Sequence, residues 1–183
     1  MFEASKTLTT FSQEEKQLFF SGTGIDIGCG ADPIAPHFTR FDKQDGDANN
    51  ILTYFSGKSF HCVFSSHCLE HMQDPKKAIQ DWWQLVEPGG YLVVAVPDED
   101  LYEQGVFPSR WNDDHKWTFT IYKEKSWCDR SINIKDLIKL LDGCNILKLV
   151  LQDKGYDYSI KNKDQTRHPY DAMAQILLVC RKV

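Results

Sequence analysis

The chain has 183 residues, 42% apolar and 26% charged, a balance that suits one domain with a sizeable core. Its net charge of -5 and pI near 5.6 argue against a broad basic footprint for nucleic acid or an anionic membrane. No apolar run is long enough to span a bilayer. Met1 to Lys6 lack the apolar centre of a signal peptide. The six cysteines, Cys29, Cys62, Cys68, Cys128, Cys144 and Cys180, form no Cys-x-x-Cys pair, and several sit in apolar runs. A reduced, cytoplasmic protein is therefore expected.

Helical and strand patterns alternate along the chain, which predicts an α/β sheet. Ser12-Gln13-Glu14-Glu15 is a capping box that opens a helix running to Phe20 and stopping at Gly22. Strands are expected at Thr23 to Ile27, Phe38 to Phe41 and Phe60 to Ser65. Asp74 and Pro75 cap and start a helix whose Ala78, Ile79, Trp82 and Val86 share one face, ended by Pro88-Gly89-Gly90. Tyr91 to Val96 is apolar almost throughout, as a strand covered on both faces should be. Asn133 caps a helix with Ile134, Leu137, Ile138 and Leu141 on one side and Gly143 at its end. Ile146 to Leu151 and Met173 to Cys180 read as the last strands, joined by a polar stretch from Asp153 to Asp171. No repeat or low-complexity linker divides the chain, so residues 1–183 are expected to form a single domain.

In such a sheet a ligand binds beyond the carboxyl ends of the strands. Gly28 and Gly30 fall there, after the first strand, where glycine lets the backbone turn sharply and approach a ligand. A lone Gly-x-Gly is equally a plain turn. Here, however, Asp42 ends the next strand, Asp47-Ala48 follows, and Ser65-Ser66-His67 ends another. A dinucleotide fingerprint would place a third glycine where this chain has Pro33.

This ordered set, from about Gly24 to Pro97 and including Glu87-Pro88-Gly89-Gly90-Tyr91, resembles class I S-adenosylmethionine-dependent methyltransferases of the small-molecule type. The resemblance implies a Rossmann-like three-layer sandwich. Its mostly parallel sheet would have seven strands in the order 3-2-1-4-5-7-6, with strand 7 antiparallel. It implies S-adenosyl-L-methionine as cofactor. Asp26, Gly28, Cys29 and Gly30 would serve the methionine portion, Asp42 and Lys43 the ribose, and Asp47 and Ala48 the adenine. Ser65, Ser66, His67 and His71 would lie under the methionine end.

The chain departs from that pattern in one region. Only Ala31 to His37 separate the glycine loop from the second strand, too few for a normal helical crossover. Asp47 follows Asp42 almost at once, so the next helix should also be missing. The shortened crossovers keep open a second function, a non-catalytic cofactor-binding or scaffold protein that retains the methyltransferase fold.

His67-Cys68-Leu69-Glu70-His71 also matches His-x-x-Glu-His, a zinc-peptidase pattern. Zinc would need both imidazoles on one helical face and a third ligand elsewhere. The motif follows directly on a strand and a new helix opens at Asp74, so no metal is expected.

The acceptor side should be residues 98–130, an acceptor or lid segment rich in aromatic and polar residues from Phe107 to Phe119. Arg110, His115 and Lys116 are its polar handles. Trp111 and Trp117 are either acceptor contacts or packing. His115 is the candidate general base, because its ordinary pKa lies near neutrality. The strand before Ser66 lacks the Pro-Pro-aromatic element of many methyltransferases acting on amino groups of nucleobases or glutamine. No cysteine follows a proline, as the nucleophile of cytosine carbon-5 enzymes does. The expected acceptor is a small molecule or a sugar hydroxyl, and no nucleic acid or membrane span is expected.

Overall fold

The computed structural model describes residues 3–183. Two helices, α1 (Glu3–Leu8) and α2 (Gln13–Phe20), precede the first strand. α2 carries the expected capping box: Ser12 Oγ accepts from the Glu15 amide at 3.1 Å, and Glu15 accepts from the Ser12 amide at 2.8 Å. α1 was not foreseen from the sequence.

The main sheet contains β1 (Gly24–Ile27), β2 (Thr39–Phe41), β3 (Phe60–Ser66), β4 (Val86–Pro97), β7 (Cys144–Gln152) and β8 (Gln175–Lys182). A separate pair, β5 (Thr118–Thr120) and β6 (Ser131–Asn133), runs parallel. The main order is β2-β1-β3-β4-β8-β7, with β8 antiparallel to both neighbours. This is the expected arrangement with one correction, because six strands form the sheet rather than seven. The missing member is the outer strand next to β2. A 3-10 turn over Ala48–Thr53 occupies its place in the chain. Between β2 and β3 there are too few residues for a helix, a strand and a second helix. The first crossover, from β1 to β2, likewise holds only turns.

The three layers follow from alternation along the strands. On one face Phe64, Tyr91, Val93, Ala95, Leu177 and Val179 pack against Phe19 and Phe20 of α2 and Ala4 of α1. On the other, Ile25, Ile27, Val63, Leu92, Val94, Ile176 and Leu178 pack against α3 (Pro75–Gln84) and α4 (Ile134–Ile138). From Tyr91 to Val96 β4 therefore buries both faces, which is why that run is continuously apolar. Trp82 and Ile79 of α3 are fully buried there. α3 is capped by Asp74, which accepts from the Lys76 and Lys77 amides, with Pro75 at its first position. It ends earlier than its apolar spacing suggested, since Val86 already pairs with Phe60 as the start of β4. Among the described residues no helix is long and apolar enough to cross a membrane.

Candidate active site

The carboxyl ends of β1, β2 and β3 open on one side of the sheet, and two adjoining cavities of about 280 and 580 Å³ lie there. They share Gly28, Gly30, His67, His71 and Asn112, so they form one cleft. The smaller also meets Asp26, Cys29, Ser66, Glu70 and His115; the larger meets Asp42, Lys43, Asp47 and Ala48.

The glycine loop needs glycine at two positions. Gly28 has φ +77°, and a Cβ there would lie 2.6 Å from the Cβ of Cys68. Gly30 has φ +52°, and its missing Cβ would meet only Asp42 Oδ2, at 3.9 Å. The backbone at Gly30 thus borders open space with a carboxylate across it. Asp26, almost fully buried, accepts from the Ile34 amide at 2.7 Å and so ties down the far side of the loop. Burial pushes its pKa up to about 7, against the opposing pull of that hydrogen bond. The Cys29 thiol is also raised by burial.

At the other end Asp42 receives the Lys43 amide at 2.8 Å, and Lys43 extends into solvent, 3.8 Å from Asp114. Asp47 caps the 3-10 turn. Its carboxylate accepts from the Asn49 amide at 2.9 Å and from the Asn49 and Asn50 side chains at 2.7 and 3.1 Å. These bonds, led by the Asn49 side chain, hold its pKa below the ordinary value. Ala48 offers its carbonyl to the Trp82 indole at 3.1 Å.

The Ser65-to-His71 segment divides. Ser66 Oγ faces the smaller cavity and is buried without a hydrogen-bond partner. Ser65 is fully buried, donates to the Ile27 carbonyl at 3.0 Å and borders neither cavity. The inward-outward alternation of β3 turns it into the sheet. His67 has φ +53° and lies outside the short 3-10 turn Leu69–His71. The two histidines of the peptidase-like pattern therefore do not share a helical face.

The segment after β4 folds back over this end. The Lys116 and Trp117 amides donate to the Glu70 carbonyl at 2.9 and 3.1 Å, and Lys116 Nζ donates to the His71 carbonyl at 2.9 Å. These bonds bring His115 to the cleft. Its Nδ1 lies 2.8 Å from Glu103 Oε1, and its ring stacks on Tyr102 at 5.2 Å. Burial opposes the charged imidazole, but the Glu103 hydrogen bond and the nearby Glu70 outweigh it and raise the His115 pKa. Arg110 turns away from the cleft to Asn162 at 2.7 Å. Trp111 donates to the Tyr102 carbonyl and packs against Leu101 and Tyr102. Trp117 packs against the main core. Both tryptophans are therefore packing residues. Glu3 and Thr166 also border the smaller cavity, from segments that carried no local signal in the sequence, and so do Tyr102 and Asn112 of the expected acceptor segment. Glu103 was missed as well.

These features fit the cofactor implied by the sequence. Asp26 borders one cavity and Asp42 the other, carboxylates of the kind an ammonium and a ribose would use, and the two cavities are joined past Gly28 and Gly30. The family described as "Methyltransferase domain" matches residues 7–145, and the chain belongs to it. S-adenosyl-L-methionine is its cofactor. No curated protein matches the chain in sequence. Among solved structures it is similar to an S-adenosylmethionine-dependent methyltransferase from Clostridium acetobutylicum, at 14% identity and TM-score 0.59, over 100% of this chain and 92% of that one. It is also similar to the N-methyltransferase NodS from Bradyrhizobium japonicum (17%, 0.53, 97% and 95%). A third likeness is to the [4+2]-cyclase SpnF (14%, 0.55, 97% and 80%). At these identities the likeness establishes the fold, a Rossmann-like α/β sandwich.

Proposed function

We propose that this protein transfers a methyl group from S-adenosylmethionine to a hydroxyl of a small-molecule or carbohydrate-type acceptor. Residues 98–130 form the acceptor side. The observation that carries the reading is the single cleft, with Asp42 and Asp47 at one end and the His115–Glu103 pair at the other.

Asp26 faces the ammonium of the methionine portion, beside Gly28, Cys29 and Gly30. Asp42 and Lys43 serve the ribose, Asp47 and Ala48 the adenine edge, and Ser66, His67 and His71 the floor near the sulfur. Bound there, the cofactor supplies a methyl group already activated as a sulfonium, open to direct displacement. What remains for the chain is alignment, which can contribute about 7–11 kcal/mol in favourable cases, and removal of the hydroxyl proton. His115 Nε2 is placed to take that proton. Glu103, accepting from Nδ1, fixes the tautomer that leaves Nε2 free. The Lys116 and Trp117 amide bonds to the Glu70 carbonyl hold the acceptor segment against this end of the cleft.

The test is calorimetry with S-adenosylmethionine followed by an acceptor screen that reads release of S-adenosylhomocysteine. Failure of a well-folded sample to bind the cofactor would overturn the reading. One observation favours a second reading, a non-catalytic cofactor-binding or scaffold protein: the carboxylate of Asp47 is already engaged by its own turn. Binding without turnover across a broad screen would support it.

A further inference from the structure

Glu70 is a buried carboxylate that the cofactor assignments leave without a task. It is 0% exposed, and neither of its oxygens has a hydrogen-bond partner. Among the described residues no lysine or arginine pairs with it. What surrounds Oε1 instead is imidazole: His67 Nδ1 at 3.7 Å, His71 Nε2 at 3.8 Å and His115 Nε2 at 3.8 Å.

The outer contacts of these rings determine what they present inward. His115 Nδ1 meets Glu103 Oε1 at 2.8 Å. His71 Nδ1 meets the Asp114 carbonyl at 3.1 Å. Both partners are acceptors, so Nδ1 of each ring donates outward and Nε2 is the atom turned toward Glu70. His67 meets Gln175 Oε1 at 2.9 Å through Nε2, which leaves its Nδ1 lone pair facing the same way. Three ring nitrogens and a buried anion thus converge at 3.7–3.8 Å, and neither Glu70 oxygen has a hydrogen-bond partner. A cation at the centre satisfies that arrangement.

We propose that Glu70, His71 and His115 form a site for one divalent first-row cation, zinc above all, at the acceptor end of the cleft. The ligand atoms of these three residues lie within 4.8 Å of one another. Zinc at about 2.1 Å from each would hold them about 3.4 Å apart, so the pocket closes slightly on loading. Two imidazoles and a carboxylate are the donor set of catalytic zinc sites that keep an open coordination position. The Glu103–His115 contact is the outer-shell carboxylate that such a ligand uses. The three residues border the smaller cavity, where the methionine end of the cofactor would meet the acceptor segment. The proposal rests on the methyl-transfer reading for that last step only. An acceptor hydroxyl bound to the cation would have its O–H acidity raised, so that its proton passes to solvent as the O–C bond forms and the S–C bond breaks, and His115 is then a ligand rather than the base. The site differs from the sequence pattern that suggested zinc. His67 is not the second ligand; His115 arrives instead from the lid.

The full chain, stripped with chelator and dialysed, should bind one equivalent of zinc in competition with a chromophoric chelator. Cobalt in its place should give visible bands without a thiolate charge-transfer band, which excludes the six cysteines as ligands. His71→Ala and Glu70→Gln should each weaken zinc binding by at least tenfold, and Glu103→Gln by about 10–100-fold. His71 is partly exposed, so His71→Ala keeps the proposal testable if the Glu70 variant fails to fold. No binding by the folded wild type would overturn the proposal. So would binding unchanged in His71→Ala, which marks an adventitious ion only. S-adenosylmethionine calorimetry on the stripped protein separates the two readings. Cofactor binding without zinc binding sinks only the metal site, and zinc binding without cofactor binding upholds it while sinking the methyl-transfer reading.

Discussion

His115 Nδ1 lies 2.8 Å from Glu103 Oε1, and both side chains are buried. The pair joins two residues of the segment after β4, and it turns Nε2 toward Glu70 at the cleft. A positioned proton acceptor contributes about 10²–10⁴-fold to rate. His115→Asn should therefore cost turnover of that order. Its amide still donates to Glu103, so folding and S-adenosylmethionine affinity should stay near wild type. Steady-state rates, a thermal melt and calorimetry on one preparation check this. Equal loss of cofactor affinity and rate would show that His115 serves the cofactor instead.

Asp26 should make cofactor binding pH-dependent in a definite direction. Its folded pKa is near 7, raised by burial from an ordinary carboxylate value of 3.8. Between those values the native state holds a proton that the unfolded chain has lost. This group's contribution to stability is thus full below about pH 4 and declines as pH rises toward 7. A cofactor ammonium reverses the preference, since it favours the ionised carboxylate. S-adenosylmethionine affinity should therefore rise with pH between about 6 and 8, and the folded pKa of Asp26 should fall on binding. Asp26→Asn keeps an acceptor for the Ile34 amide and should flatten the profile. Calorimetry across that range gives the answer, and a wild-type affinity independent of pH would remove the ammonium assignment.

How much of this could be read from the sequence depends on the range of the interactions. The Ser12–Glu15 box, Asp74-Pro75 and the Asn133 cap are contacts within four residues, and each starts its helix where the residues predicted. The apolar run of β4 was legible because burial on both faces leaves a compositional mark. The seventh strand was expected by resemblance, but the 3-10 turn at Ala48–Thr53 replaces it, a choice made by chain length rather than by local propensity. Ser65 was misplaced by one position of strand alternation. Glu70 could not be tied to His115 from spacing, because the Lys116 and Trp117 bonds that bring them together cross more than 40 residues, and Glu103 meets His115 across a 12-residue loop without a local pattern.

The loop itself can be tested without the cofactor. Gly28→Ala places a Cβ 2.6 Å from the Cys68 side chain at φ +77°, where L residues are strained. The backbone conformation alone costs about 1–3 kcal/mol. A domain of this size should lose several degrees of melting temperature. Adding Cys68→Ala removes Sγ but leaves Cβ and the positive φ, so it should recover only part of the loss. Full recovery would mean that the clash, and not the backbone conformation, requires glycine here.

Asp42 and Ser65 offer a paired test of where the cofactor lies. Asp42 borders the larger cavity at the end of β2, and Ser65 lies inside the sheet with its hydroxyl on the Ile27 carbonyl. A charged acceptor's hydrogen bonds are worth about 1.5–3 kcal/mol each, so Asp42→Ala should weaken S-adenosylmethionine binding by tenfold or more with little change in melting temperature. Ser65→Ala should do the opposite: a measurable loss of stability, since the Ile27 carbonyl loses a buried donor, with affinity unchanged at temperatures where the variant is folded. Calorimetry and a thermal melt on both variants decide it. If Ser65→Ala weakens binding as much as Asp42→Ala does, the cofactor reaches deeper between β1 and β3 than the cleft allows, and the ribose assignment to Asp42 falls.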